Sequence, residues 1–270
     1  MTSTAGVRAT ALLRASHPEP GLAVTVLAVL LATTWDASIG TTALVGLAAL
    51  SGQLTVGWSN DLVDRERDRL SGRPDKPVAT GLLSTASVRA AIAVTLPVSA
   101  VASLSLGWRA GLLHLVLVAM GWAYNLGLKR TAFSWLPYAA CFGCLPVVVS
   151  LAARDEPGPL WTVVAGALLG TGAHLVNAVP DLEDDRRTGV RGLPHRLGAR
   201  RSIDVATVLM LTGTVVTLVV PVGGVDAIAV VALVVCAVLL VAGRLAPGRG
   251  TFRAALGIAL VDVIALLLRS

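Results

Sequence analysis

The sequence predicts an all-α integral membrane protein, with nine transmembrane helices in a bundle around a central cavity. Composition is the first reason: 55% of the 270 residues are hydrophobic and 14% are charged, with a mean hydropathy of +0.77, which is far from a soluble domain. The apolar residues also fall into runs long enough to cross a bilayer. Finally, the basic residues collect in alternate connections between those runs, as in multi-pass membrane proteins.

Nine apolar segments can be drawn along the chain, and we expect each to form one membrane helix. Proline and glycine interrupt some of them, which membrane helices tolerate. The segments are 21–39, 41–60, 85–106, 109–127, 133–153, 159–180, 202–222, 225–243 and 251–268. We expect residues 21–270 to form a single domain preceded by a cytoplasmic segment, residues 1–20. That first segment contains Arg8, Arg14 and His17 and lacks an apolar core, so it does not resemble a signal peptide.

The distribution of basic residues predicts the orientation in the cell membrane. With the N-terminus in the cytoplasm, nineteen of the 22 basic residues fall on the inner side, and only Arg109, Arg154 and Arg269 fall outside. This distribution explains the net charge of +6 through topology, without a nucleic-acid partner. It places the C-terminus outside and the two longest connections, near 61–84 and 181–201, in the cytoplasm.

These two connections carry the same pattern of residues. An offset of 117 places Asn60 on Asn177, Asp64 on Asp181 and Asp68 on Asp185, and the shared pattern is N-x-x-x-D-x-E-x-D-R-x-[ST]-G. One acidic cluster is often a solvated helix end, but two copies after apolar segments indicate a duplicated unit. Since four helices separate the copies, we expect two parallel four-helix repeats plus a final helix.

The acidic residues of the two copies predict a metal site. In a helix, Asn60, Asp64 and Asp68 lie on one face at intervals of four residues. Carboxylates that are crowded in this way repel one another unless a cation holds them, and oxygen ligands favour Mg²⁺. The predicted metal ligands are Asn60, Asp61, Asp64, Asp68, Asp181 and Asp185, and we expect Asp64, Asp68, Asp181 and Asp185 to be the catalytic residues.

Basic and polar residues near the two acidic motifs predict a diphosphate site. Metal ions and cations neutralise the charge that develops on a departing diphosphate, so the carbon–oxygen bond can ionise toward an allylic carbocation. The apolar bundle behind them would hold an isoprenoid tail away from water. The candidate diphosphate-binding residues are Arg73, Lys76, Lys129, Arg130, Tyr124 and Asn177.

The motifs resemble those of a known family. Asn60-Asp61-x-x-Asp64-x-x-x-Asp68 is similar to the N-D-x-x-D-x-x-x-D motif of the UbiA superfamily of intramembrane prenyltransferases, and Asp181-x-x-x-Asp185 is similar to its second motif. The resemblance implies a helical bundle that binds Mg²⁺ and a prenyl diphosphate between the motifs, with a lateral opening to lipid. Many members have a Y-x-x-x-K pattern after the fourth helix, whereas Tyr124 and Lys129 have one more residue between them.

Three functions remain open at this stage. The first is transfer of a prenyl group to an acceptor, an aromatic or other lipid-soluble precursor that the sequence does not identify, with Asp64 or Asp68 assisting its deprotonation. The second is a terpene cyclase of the same superfamily, in which double bonds of the substrate itself capture the carbocation. The third is a membrane transporter or scaffold that binds a phosphorylated lipid without catalysis. The sequence does not indicate an oligomeric state.

Overall fold

The computed structural model describes residues 4–246 and 249–269, and within these ranges the regular secondary structure is helical, with no strand. Residues 1–3 of the predicted N-terminal segment, residues 247–248 of one predicted cytoplasmic connection and residue 270 lie outside the described residues. The α-helices are α1 (Thr4–Ala15), α2 (Pro18–Thr34), α3 (Ile39–Leu70), α4 (Thr85–Leu104), α5 (Trp108–Leu126), α6 (Leu136–Arg154), α7 (Leu160–Ala178), α8 (Leu182–Arg187), α9 (Leu193–Leu197), α10 (Ala199–Val219), α11 (Ala227–Leu245) and α12 (Gly250–Leu267).

The helices α2 to α7 and α10 to α12 overlap the nine predicted segments. Within the described residues, seven helices are by themselves long and apolar enough to cross a membrane: α3, α4, α6, α7 together with its extension, α10, α11 and α12. The pair α1 and α2 qualifies as an eighth span if the two, which meet at an angle of 67°, are counted together. The structure therefore supports seven or eight spans, and the count of nine stays a prediction.

Helix α3 differs from its predicted segment because it does not end at residue 60. It begins after Ser38, whose Oγ accepts a hydrogen bond from the Thr41 N–H at 3.1 Å, and it continues for 32 residues through the whole first acidic motif. Ion pairs within the helix support this extension, since Arg67 pairs with Asp64 and Arg69 with Glu66 at a spacing of three residues. The helical arrangement expected for Asn60, Asp64 and Asp68 is therefore confirmed, and the helix extends ten residues beyond the apolar segment that ends at residue 60.

The second acidic motif has a different backbone from the first. Helix α7 ends at Ala178, a short 3-10 turn covers Val179–Asp181, and α8 then carries the rest of the motif. Pro180 lies in this turn and lacks the N–H that a continuous α-helix would use, which fits the local change from α-helix to 3-10 turn. The two copies of the pattern therefore share residue spacing but not local conformation, and the predicted arrangement of repeats is not confirmed.

Small residues bring the helices of the bundle close together. At Gly166 and Gly170 of α7, an added Cβ would meet the backbone of α6, so these glycines allow the two helices to touch. Buried apolar side chains from α2, α3, α6 and α12 form one core cluster, and α7, α10, α11 and α12 contribute to another. At the end of the bundle that carries the motifs, Arg253 of α12 donates a hydrogen bond to Glu19 of α2 at 2.7 Å. The last long helix therefore lies beside α2.

Candidate active site

The two acidic motifs face a single cavity of about 270 Å³ at one end of the bundle. The end of α3 provides one wall, and the opposite wall comes from the end of α7 and the turn into α8. Ten of the predicted site residues line this cavity: Asn60, Asp64, Asp68, Arg73, Lys76, Tyr124, Lys129, Asn177, Asp181 and Asp185. The convergence that the repeated pattern predicts is therefore present in the structure.

Asp64 is the most highly connected carboxylate of the site. It is 1% exposed, and both of its oxygens accept hydrogen bonds from Lys129 Nζ, at 2.5 and 2.6 Å. Asn60, one helical turn earlier, donates to Asp64 Oδ2 at 3.0 Å, as the spacing of four residues predicts. The side-chain carbonyl oxygen of Asn60 accepts a long hydrogen bond from Lys76 Nζ, at 3.5 Å. A buried carboxylate with this many donors is held in one orientation.

Arg67 connects the first motif to the second. Its guanidinium donates to Asp64 Oδ2 at 2.9 Å and lies 3.2 Å from Asp185 Oδ1 in the other motif. Asp68 Oδ1 is also near, at 3.6 Å from Arg67 Nη2. Because the planar guanidinium presents several donors in a fixed geometry, a single arginine can hold three carboxylates around it. Arg67 was not among the predicted site residues, although it lies inside the first motif.

Arg73 makes a second connection between the motifs. Its Nη1 donates to Asp181 Oδ1 at 3.0 Å, while its Nε and Nη2 bind the two oxygens of Asp75 at 2.9 Å each. The hydrogen bonds from Arg73 lower the pKa of Asp75 to about 2, and they raise the pKa of Arg73 above its usual range. Arg73 thus remains a cation whose position is fixed by Asp75, next to the second motif.

Lys129 reaches the cavity from a short 3-10 turn, Leu128–Arg130, that follows α5. The turn follows Gly127 and compensates for the one-residue change in spacing between Tyr124 and Lys129, since both residues line the cavity. Burial lowers the pKa of Lys129, although the Asp64 carboxylate acts in the opposite direction. Its neighbour Arg130 is exposed and does not line the cavity. The structure therefore separates this predicted diphosphate contact from the site.

Asp61 is also separated from the other predicted metal ligands. It is 2% exposed and does not line the cavity. Its Oδ1 accepts hydrogen bonds from Lys76 Nζ at 2.8 Å and interacts with His17 Nε2 at 3.0 Å. His17, at the bend between α1 and α2, itself lines the cavity. The position of Asp61 therefore fits an anchor for Lys76 and for the N-terminal helix, and its assignment as a metal ligand stays a prediction.

Aromatic and polar side chains form the wall behind the second motif. The rings of Tyr124, Tyr138 and His174 lie within 6 Å of one another, centroid to centroid. Asn177 donates to the Tyr138 hydroxyl at 3.2 Å. Ser134 Oγ accepts from the Leu193 N–H and lies 3.0 Å from His174 Nε2. If the buried Ser134 hydroxyl donates to Nε2, the imidazole proton lies on Nδ1, which has no hydrogen-bond partner in the structure.

Two further residues of the site were missed by sequence reasoning. His195 of the short helix α9 contacts Asp185 Oδ2 through its Nε2 at 3.1 Å, and Arg249, just before α12, lines the cavity. Neither residue belongs to a recognisable motif, and both come from connections that the fold brings back to the site. For His195 the available signal was its place shortly after the second motif, which many residues of that connection share, and Arg249 lies sixty residues beyond that motif.

The donor chemistry of the cavity fits Mg²⁺. The carboxylates and amides of both motifs supply hard oxygen ligands from two walls, and the buried Asp68 Oδ2 has no hydrogen-bond partner. In the described ranges, no group of three or more histidine, cysteine, aspartate or glutamate residues is already gathered at metal-binding distance. Instead, Arg67, Arg73 and Lys129 lie between the carboxylates. Metal binding by the carboxylates therefore requires these three basic side chains to move toward another anion.

Apolar side chains line most of the cavity away from the motifs. Val24, Val56, Phe142 and Leu256 are among them, from α2, α3, α6 and α12, whereas Phe252 lines the cavity from the first turn of α12 and Gln53 adds one amide. A cavity with charged groups at one end and apolar side chains at the other suits an amphipathic ligand, which has a charged head and an apolar tail. The fold and the site together define a polytopic helical membrane protein in which two acidic sequence motifs meet at a ligand cavity.

The chain belongs to the UbiA prenyltransferase family, whose sequence profile matches residues 21–251. It is 32% identical over 183 residues to the bacteriochlorophyll synthase 33 kDa chain of Cereibacter sphaeroides, a match that covers 62% of this chain and 58% of that protein. It is 30% identical over 214 residues to the digeranylgeranylglyceryl phosphate synthase of Halobacterium salinarum, covering 74% of each chain. The chain thus aligns with somewhat more than half of the length of the bacteriochlorophyll synthase.

Solved structures show the same fold. A UbiA homolog from Aeropyrum pernix superposes with a TM-score of 0.75 at 19% identity, covering 93% of this chain and 98% of that one. A UbiA homolog from Archaeoglobus fulgidus, bound to GPP and Mg²⁺, superposes with a TM-score of 0.69 at 17% identity, covering 96% and 99%. At these identities the likeness establishes the helical architecture.

Proposed function

We propose that this protein transfers a prenyl group from a prenyl diphosphate to an acceptor, in a Mg²⁺-dependent reaction at the membrane. The observation that carries this proposal is the pair of contacts by which Arg67 joins Asp64 to Asp185 across one cavity. Two acidic motifs at opposite walls, with basic residues between them and an apolar region behind, fit a diphosphate head and an isoprenoid tail. Membership of the prenyltransferase family supports the same conclusion.

In this proposal the metal ligands come from both motifs: Asn60, Asp64, Asp68, Asp181 and Asp185. When bound, Mg²⁺ supplies positive charge that offsets the charge developing on the leaving diphosphate. The carboxylates are held for this task by other residues, since Lys129 and Asn60 orient Asp64, and Arg73 orients Asp181. The Archaeoglobus fulgidus homolog, which was solved with GPP and Mg²⁺, supports this choice of cofactor and donor class.

The basic residues of the cavity bind the oxygens of the diphosphate. Arg67, Arg73 and Lys129 now contact motif carboxylates, and each lies on the cavity wall. As the carbon–oxygen bond breaks, its electron pair leaves with the diphosphate, and the remaining allylic carbon becomes a cation. Fixed cations around the leaving group stabilise this charge separation more than the intact donor. Lys76 and Tyr124 lie at the edge of the same region, where we propose that they complete the diphosphate site together with Asn177.

The apolar wall excludes water from the carbocation. Phe142, Phe252 and Leu256 form this wall, and an environment without water keeps the cation from being quenched before the acceptor reaches it. Asp64 or Asp68 then assists removal of the proton that the acceptor loses as the new bond forms. The names of the relatives include a bacteriochlorophyll synthase, a glyceryl phosphate synthase and a 4-hydroxybenzoate octaprenyltransferase, so we leave the acceptor of this chain unassigned.

We further propose nine membrane spans, with the short α1 in a cytoplasmic N-terminal segment of residues 1–20 and one domain over residues 21–270. The count adds α2 and α5 to the seven helices that qualify by length and hydropathy. In this arrangement the site opens to the cytoplasm and the C-terminus is outside. The two motifs then descend from parallel four-helix repeats, a relationship supported by their shared residue spacing.

The proposal is tested by product analysis of the full-length protein in lipid nanodiscs with Mg²⁺ and prenyl diphosphates of several lengths. We expect diphosphate release together with a prenyl adduct when an acceptor panel is added. A cyclic hydrocarbon or alcohol made without an acceptor would show that the protein is a terpene cyclase and not a transferase. Binding of the donor without any diphosphate release would indicate that the protein is a transporter or scaffold. The acceptor is identified by the mass of the adduct.

A further inference from the structure

A second cavity, of about 240 Å³, lies at the other end of the bundle from the acidic motifs. Helices α2, α6, α7 and α12 form most of its wall, and Leu31, Leu145, Ala165 and Val263 are among the apolar residues that line it. Its one acidic lining residue among the described ones, Asp262, is buried and already accepts a hydrogen bond from Thr214 at 3.0 Å. The cavity is therefore suited to a hydrocarbon ligand.

Phe142 is the one described residue that lines both this second cavity and the cavity of the candidate active site. It lies on α6, one turn after Tyr138, and the two rings are nearly parallel, with 4° between their planes and 6.4 Å between their centroids. Tyr138 lines the first cavity only, and Leu145 lines the second only. The Phe142 side chain thus occupies the boundary between the two spaces.

The surrounding packing fixes the position of Phe142. On α7, a Cβ added at Gly170 would lie 2.6 Å from the Phe142 Cβ, so the two helices already touch at this point. Gly166 brings α7 equally close to the backbone of α6 beside Phe142. Because α6 and α7 are in close contact here, a smaller side chain at position 142 would open space between the two cavities.

We propose that Phe142 limits the length of the isoprenoid tail that the donor site accepts, by closing the apolar end of the first cavity. The second cavity is the space that a longer tail enters once this side chain is made smaller. From Phe142 to Arg154, one of the two arginines that line the second cavity, α6 rises about 18 Å over twelve residues. This inference rests on the proposed function, since it concerns the donor of that reaction.

The test compares the specificity constants, kcat/KM, of diphosphate release for dimethylallyl, geranyl, farnesyl and geranylgeranyl diphosphates, with the full-length protein in nanodiscs and the acceptor panel of the preceding experiment present. We expect Phe142→Ala to raise the ratio of geranylgeranyl to geranyl specificity constants about tenfold, the low end of the discrimination that hydrophobic pockets achieve. Phe142→Leu should give a smaller change in the same direction. It also serves as the graded variant if the alanine protein folds poorly.

A second substitution tests where the longer tail goes. Ala165 lines the second cavity only and is 3% exposed, so Ala165→Leu fills that space without touching the first cavity. We expect this change alone to leave the donor ratio unchanged, and we expect the Phe142→Ala/Ala165→Leu double variant to lose most of the gain of Phe142→Ala. Phe133→Ala is the matched control, because Phe133 is 61% exposed and lines neither cavity.

The outcomes distinguish this inference from the function on which it rests. An unsubstituted protein that releases diphosphate, with the same donor ratio in Phe142→Ala and Phe142→Leu, would overturn the inference alone. A gain in Phe142→Ala that Ala165→Leu does not reverse would overturn the role of the second cavity. If the unsubstituted protein releases no diphosphate from any donor, the proposed function fails and the inference fails with it.

Discussion

At the scale of single residues, the site depends on pairs of opposite charge that are buried together. Asp64 with Lys129, and Asp61 with Lys76, are nearly inaccessible to solvent. Removing one member of such a pair leaves an uncompensated charge, which is more damaging than the loss of an exposed ion pair. The sequence identified Asp64 and Lys129 through their motifs, but it could not pair them, because the pairing depends on how α3 meets the turn after α5.

Arg67 is the residue whose role the sequence did not predict and whose substitution is most informative. We expect Arg67→Ala to lower kcat/KM for diphosphate release by about 100-fold, in the range measured for removal of one charge-stabilising group. Arg67→Lys should restore a small part of this, because an ammonium group cannot bridge Asp64 and Asp185 as a planar guanidinium does. Steady-state kinetics in nanodiscs provides the measurement.

The control for Arg67 is Arg65→Ala, since Arg65 lies on the same helix and is exposed. It should retain nearly full activity. Equal losses in the two variants would show that a general loss of positive charge, and not the connection between the motifs, is responsible. Full activity in Arg67→Ala would remove this residue from the mechanism.

Asp61 and Asp64 allow a test of which carboxylates bind metal. Asp61 does not line the cavity and contacts Lys76 and His17, which do, so we expect Asp61→Asn to lower the midpoint of thermal unfolding while leaving the Mg²⁺ concentration for half-maximal activity unchanged. Asp64→Asn should abolish activity or raise that concentration strongly, because it removes a ligand. Measuring activity as a function of Mg²⁺ concentration distinguishes the two variants. A higher Mg²⁺ requirement in Asp61→Asn would show that Asp61 is a metal ligand.

At the scale of helices, hydropathy located the segments well but placed the end of α3 ten residues too early. The charges that mark the end of an apolar segment do not end a helix when they can pair along it, as Arg67 does with Asp64 and Arg69 with Glu66. In the second motif, a 3-10 turn that contains Pro180 interrupts the α-helical geometry despite the same residue spacing. A repeated pattern therefore predicted which residues converge, whereas the local conformation depended on single residues between them.

The N-terminal bend is the contact between elements that can be tested most simply. At Gly57 of α3, an added Cβ would collide with the backbone of Ser16, next to the bend between α1 and α2. We expect Gly57→Ala to destabilise the protein by about 1–3 kcal/mol, as overpacking does, and to weaken donor binding because His17 is displaced. The midpoint of thermal unfolding in detergent and the KM for the donor are the two readouts.

Gly40→Ala is the matched control for Gly57→Ala. Gly40 lies in the first turn of the same helix, and the nearest atom to an added Cβ there is Ser38 Oγ at 3.8 Å, an ordinary contact. This variant should be as stable as the unsubstituted protein or slightly more stable, because alanine favours the helix. If Gly57→Ala is equally stable, the α1–α2 bend does not pack against α3 as the structure has it.

At the scale of the whole molecule, composition predicted the membrane class and the basic residues predicted the orientation. The length and hydropathy criteria leave out two of the nine proposed spans, because α2 has 17 residues and bends away from α1, and α5 contains Arg109 and His114. Helices of this kind are stabilised by their neighbours more than by their own hydropathy. Residues such as His195 and Arg249, which reach the site from distant connections, could not be placed from the sequence because their positions depend on the complete bundle.

The orientation is tested by labelling single cysteines from outside intact cells, after Cys141, Cys144 and Cys236 are replaced. Asp155 and Glu183 are both well exposed, with 82% and 68% of their side chains accessible, and they lie at opposite ends of the bundle. We expect a membrane-impermeant maleimide to label Asp155→Cys in intact cells and Glu183→Cys only after the cells are broken. The reverse pattern would invert the proposed topology.

The central claim is that the two acidic motifs form one site that ionises a prenyl diphosphate, and a double-mutant comparison of diphosphate release tests it most directly. We expect Asp64→Ala and Asp181→Ala each to abolish Mg²⁺-dependent release, and the double variant to be scarcely worse than either, because residues that act as a unit are not additive. Asp36→Asn, at an exposed site near the other end of the bundle, is the control and should remain active. Retained activity in either single alanine variant would contradict the shared site.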